Sequence, residues 1–247
     1  MNPVMPRKPV NRRRPNSRAA EPRLPRGSLG DEIGRIAGCM ARKADSPSQR
    51  VDAHPGFDFT HHVGLLCDDI TTRVPEMSHI DVRRVAISFC QTRKRVRHGF
   101  WASLTPMRFA NGNLTEMRRG GVYTVQRLYD SAGVEMLYVL AFYLPRFLQL
   151  SFMDKLVTIF HELWHINPEF NGDIRRFEGR CYAHTHSEKE YDDAMLQLAK
   201  RWLAMSPPNG LYQFLKMNHG RMCREYGRVY GTKIPHPKLL PLKDRAS

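Results

Sequence analysis

The 247 residues carry 39 Lys and Arg against 24 Asp and Glu, a net charge of +15, with 41% hydrophobic residues. That length suits one domain with extensions, or two small domains at most. No run of about 18 apolar residues occurs, which excludes a helical membrane span, and the Arg- and Pro-rich start lacks the apolar core of a secretory signal.

The first 50 residues hold twelve Lys or Arg, four Asp or Glu and seven Pro, with no apolar period. Such a stretch cannot bury enough surface to offset its ordering entropy, so residues 1–51 are expected to form a disordered basic arm. From His61 to Val74, Val63, Leu66, Ile70 and Val74 recur at helical spacing and Pro75 stops the run. Val85 to Cys90 alternates, with Val85, Ile87 and Phe89 on one face of a strand. Phe100 to Phe109 and Val122 to Tyr129 are further strand-like runs, joined by a link containing Asn111-Gly112-Asn113 and Gly120-Gly121. Met136 to Leu144 is continuously apolar, and Gly133 before it marks a hairpin turn.

Helices are expected from there on. Ser151 and Asp154 have capping-box spacing at the head of Ser151 to Ile166, and Ser187 and Glu190 repeat it before Tyr191 to Met205. A last helix from Leu211 to Tyr226 closes on Gly227, and the Pro- and Lys-rich tail after Ile234 is expected to pack loosely. This order is an α+β pattern: an N-terminal helix, a small antiparallel-type sheet, then an active-site helix and two C-terminal helices. The domain spans residues 52–230, followed by a basic tail, 231–247.

The Ser151 helix carries the chemistry. Met153, Leu156, Phe160 and Leu163 share one side, while Asp154, Thr158, His161 and His165 fall within about 60° of one another on a second. Histidines at i and i+4 stack one turn apart, so both imidazoles can reach one Zn²⁺ at about 2.0–2.1 Å. Glu162 stands beside them as a general base for water, in the pattern His-Glu-Leu-Trp-His. A catalytic zinc needs a third protein ligand and an open position. Position 171 is Asn171, so the extended pattern with a third His there is absent. The next histidines are His184 and His186, and Glu188 and Glu190 follow; His184 is placed first among these four.

His-Glu-Leu-Trp-His-Ile-Asn-Pro-Glu-Phe-Asn-Gly-Asp at 161–173, with Gly-Arg-Cys-Tyr-Ala-His at 179–184, resembles a family of bacterial and phage metallopeptidases. That family belongs to the wider zincin group and is similar in layout to SprT-like proteases, over about Phe57 to Tyr226 here. The resemblance implies a zincin-like domain, metal ligands at His161 and His165, a base at Glu162 and a third ligand at His184. The His-Gly element that SprT-like proteins carry soon after the active helix is absent, which leaves their DNA-crosslinked substrates outside what it implies.

Other features have plainer readings. Arg12-Arg13-Arg14 and Arg93-Lys94-Arg95, the latter before Phe100 and Trp101, suit phosphate contact with nucleic acid or a merely solvated basic surface. Arg175, Arg176 and Arg180 are expected to pair with Glu169 and Asp173, with a substrate carboxylate as the alternative. Trp164 is expected to be core, and Tyr182 and Tyr191 to be packing residues, with a hydrogen bond to an oxyanion as the alternative. The five cysteines form no CxxC pair, which favours a reducing cytoplasm over a disulfide framework. The expected function is a zinc metallopeptidase acting on protein or peptide substrates; the alternative is a nucleic-acid-binding protein with a structural metal or none.

Overall fold

The computed structural model describes residues 55–91, 100–176 and 188–242, with the backbone alone for 188–190. In chain order the elements are β1 (Phe57–Asp58), α1 (Phe59–Arg73), β2 (Val85–Gln91), β3 (Ala102–Pro106), β4 (Thr115–Arg118), β5 (Gly121–Val125) and β6 (Tyr138–Leu144). Then follow α2 (Phe152–Trp164), α3 (Glu188–Ala204), a short α4 (Asn209–Tyr212), α5 (His219–Tyr226), β7 (Val229–Tyr230) and β8 (Leu239–Leu242). The α+β class stands. No helix among the described residues is long and apolar enough to cross a membrane.

The main sheet has the order β2-β6-β3. Its continuously apolar strand, β6, lies in the middle with Tyr138, Leu140, Phe142 and Leu144 all buried. The sheet is mixed rather than antiparallel: β6 runs parallel to β2 and antiparallel to β3. The long connection from β2 through β3, β4 and β5 lets the chain return in the same direction, which a hairpin cannot do. Helix α1 packs Phe59, Val63, Leu66 and Ile70 into the core, at helical spacing, with Asp58 accepting from the His61 N–H as its cap. From α3, Trp202 is wholly buried and donates its Nε1–H to Asp69 of α1 at 2.8 Å.

Three expectations are corrected. Leu211 to Tyr226 is not one helix: α4 and a 3₁₀ turn end at Met217, and α5 restarts with Asn218 as its cap. The cause lies outside the segment. Lys155 of α2, fully buried, donates to the Leu215 and Met217 carbonyls at 2.8 Å each and so holds both of them in the turn between the two helices. The tail after Ile234 is not loose either. Leu239–Leu242 pairs antiparallel with β5, completing a second sheet, β4-β5-β8. Gly133 does sit in a tight hairpin turn at φ +79°, closed by the Tyr129–Glu135 bridge and the Met136 N–H on the Leu128 carbonyl, but the strands beyond it diverge into different sheets.

Candidate metal centre

Helix α2 begins as a capping pair: the Ser151 hydroxyl accepts from the Asp154 N–H at 3.2 Å and donates to its carboxylate at 2.7 Å. Leu156, Ile159, Phe160 and Leu163 bury one side completely, which fixes the rotation of the helix and so the direction of everything on its other faces. His161 and His165 then stand one turn apart, with ring centroids 4.7 Å from each other at 78°. Two imidazoles bound to one zinc at about 2.1 Å have centroids roughly 5 Å apart, so the pair fits such an ion.

Glu162 lies next to them and is buried. Burial pushes its carboxyl up from 4.5 to about 7, against a backbone hydrogen bond from Leu104 that works the other way. The register of β3 accounts for that bond. Tyr143 donates to the Trp101 carbonyl and Met107 donates to that of Leu137, so alternate residues of β3 face β6. Ala102 and Leu104 therefore turn their N–H groups to the strand's other edge, unpaired with any strand among the described residues. The Leu104 N–H meets Glu162 there.

The helix ends at Trp164 with His165 as its C-cap, two residues before the expected end at Ile166. The chain closes instead by pairing across a tight loop: Ile166 bridges Ile174, and the Arg175 N–H donates to the His165 carbonyl at 2.7 Å. This loop is pinned. The buried Asp173 carboxylate accepts from the Asn111 N–H and from Arg176, and the Tyr138 hydroxyl donates to the Asp173 carbonyl and accepts from Gly172. Gly172 has φ +88°, and a Cβ there would stand 2.5 Å from the Arg108 side chain, so only glycine fits.

From α3, the buried ring of Tyr191 lies 4.8 Å from His161, edge-on, and 6.0 Å from His165, nearly parallel. Asp192 brings a carboxylate oxygen 3.7 Å from the Nδ1 of His161. Burial raises the Tyr191 hydroxyl well above the usual tyrosine range, so it stays protonated.

The predicted residues are thus distributed as follows. His161, Glu162 and His165 come together on one helix. His184 and His186, with Tyr182 and Arg180, lie outside the described residues, and nothing is described of the Glu188 and Glu190 side chains. Among the described residues no group of three or more His, Cys, Asp or Glu could hold a metal ion. Trp164 is half-buried and packs on the core as expected. Arg176 pairs with Asp173 as expected, whereas Arg175 does not pair with Glu169 or Asp173; its guanidinium lies 4.1 Å over the Trp164 ring. The contacts of Leu104, Asp192 and Arg175 with the site had no signal in the sequence, since each depends on a register or a crossing of distant elements. Comparison with family models, with curated proteins and with solved structures finds no match to this chain.

Proposed function

We propose that the chain is a zinc-dependent metallopeptidase that hydrolyses peptide bonds with an activated water, within a zincin-like domain. The observation that carries this reading is the conjunction on α2: two imidazoles 4.7 Å apart beside a buried carboxylate whose pKa is about 7. His161 and His165 would hold the metal, with His184 as the proposed third ligand. A zinc ion there would supply Lewis acidity toward the scissile carbonyl and lower the pKa of water from 15.7 to about 7.

The chain's own residues supply the proton transfers. With its pKa close to neutral, Glu162 can take a proton from water and return it to the departing amine, which a carboxylate at its ordinary pKa does poorly. The Leu104 N–H orients that carboxylate. The edge of β3 beside it, unpaired with any strand among the described residues, suits an extended peptide, which can add to it as a strand and so bring its backbone past Glu162. Tyr191, neutral and against both histidines, restricts their ring rotation.

The test separates binding from turnover. Purified protein should take up about one Zn²⁺ per chain, and His161→Ala or His165→Ala should abolish most of that uptake. Glu162→Gln should keep the zinc and lose peptide hydrolysis by about 10²- to 10⁴-fold. Folded protein with no zinc affinity would end the proposal.

A further inference from the structure

Arg175 is held by three contacts at the end of α2. Its N–H donates to the His165 carbonyl at 2.7 Å, its Nε–H donates to the Trp164 carbonyl at 2.8 Å, and its guanidinium stacks 4.1 Å over the Trp164 ring. Such a guanidinium is a preorganised fork, with Nε committed and no hydrogen bond of the terminal nitrogens to any group among the described residues. At 100° per residue, Trp164 falls about 60° to one side of His161 and Glu162 about 100° to the other. Arg175 therefore flanks the histidine pair on the side opposite the carboxylate.

Its neighbour Arg176 shows what a structural arginine looks like here: two hydrogen bonds, at 3.0 and 2.8 Å, to the buried Asp173. Arg175 has no carboxylate partner among the described residues. The titratable groups that sense it are His79, whose pKa is lowered by burial and by the Arg175 charge, and Tyr191, whose pKa burial raises while the Arg175 charge works the other way. Burial disfavours the charge of Arg175 itself. A half-buried cation with no carboxylate partner among the described residues is held at a cost in stability, and an anion arriving with a ligand removes that cost.

We propose that Arg175, stacked on Trp164, recognises a carboxylate of the substrate, which accepts bidentately from its terminal N–H groups. The proposal rests on the metallopeptidase reading, and it makes the preferred substrate an acidic peptide. The carboxylate can be an acidic side chain near the scissile bond or the C-terminus of the peptide, and small probes distinguish the two. Acetyl-glutamate amide carries only the side-chain carboxylate, acetyl-glutamine only the terminal one, and acetyl-glutamine amide neither.

Titrated into the metal-free full chain, one of the two acids should shift the Arg175 Nε–H resonance saturably, and the neutral amide should not. Which acid does so identifies the source. In a peptide library, the zinc-loaded enzyme should favour the matching acidic substrate over its neutral counterpart by roughly 10- to 150-fold, mostly in KM. Arg175→Gln should bring that ratio to about one. Arg175→Lys keeps the charge but not the fork, and should retain part of the preference, which guards against a merely misfolded helix end. An Arg175 resonance indifferent to all three probes, or a ratio unchanged in Arg175→Gln, overturns the proposal. Wild-type protein that binds the acid probe but cleaves no peptide would instead end the peptidase reading and leave the carboxylate site standing.

Discussion

The sheets β2-β6-β3 and β4-β5-β8 each have three strands, but they are held in different ways. In the first, the middle strand is almost entirely buried, α1 and α2 pack against its neighbours, and Phe142 meets Phe59 and Phe147 edge-on at 5.6 and 4.8 Å. In the second, no residue of β4, β5 or β8 is buried, and Met117, Leu239, Leu240 and Leu242 stay exposed. Backbone ladders hold that sheet, with little beside them but the Thr124 hydroxyl on the Leu114 carbonyl and Arg118 over the Phe109 ring. The contrast accounts for the position of the candidate site, because a buried Glu162 and two registered histidines need side chains locked by packing around them. It also separates stability from architecture: a ladder can define a strand without stabilising the site.

The largest effect should come from breaking the packed side. Phe160→Ala, on the buried face of α2, should cost about 3–5 kcal/mol in urea denaturation and loosen the histidine register with it. Next is the pH dependence of Glu162. Its carboxyl is raised in the folded chain from 4.5 to about 7, so folding favours the protonated form. The contribution is fully present below pH 4.5, is lost as pH rises toward 7, and is flat above. Metal-free protein should lose about 3 kcal/mol over that window, and Glu162→Gln should remove the slope. Denaturation of both chains at a series of pH values isolates it, since other groups cancel in the difference.

Smaller effects sharpen the comparison. Lys155→Met leaves the Leu215 and Met217 carbonyls without their donor while removing a desolvated charge, so it should cost about 1–3 kcal/mol. Hydrogen exchange should rise around 213–218 rather than across the molecule. Leu240→Ser, on the exposed sheet, should change stability by no more than about 0.5 kcal/mol and leave zinc uptake untouched. A large loss from Leu240→Ser would mean that the second sheet carries packing energy after all, and would undo the contrast.

Much of the site is local and was legible on that account. A capped amphipathic run with His161, Glu162 and His165 at fixed offsets defines one face wherever the helix is placed, because helical geometry sets the angles between them. The apolar period of α1 and the alternation in β2 were readable for the same reason. The break at Met217 was not, since the Leu211 to Tyr226 stretch is periodic and the group that interrupts it, Lys155, lies 60 residues upstream of Leu215. A strand at Leu239–Leu242 with no buried side chain has no apolar alternation to read; it exists because β5 offers an edge. His184 falls outside the described residues, and its proposed part in the site rests on its place in the chain after the Ser151 helix and on the resemblance.

By itself, then, the sequence determined which residues share a helical face and that the chain folds as α+β, because these follow from bonded geometry and period. Only the tertiary structure decided that β6 runs parallel to β2, that the Leu104 N–H reaches Glu162, and that Arg176 pairs with Asp173 while Arg175 stacks on Trp164. Those outcomes depend on strand register and on which buried group claims which carbonyl or carboxylate. Neither is encoded within any one segment.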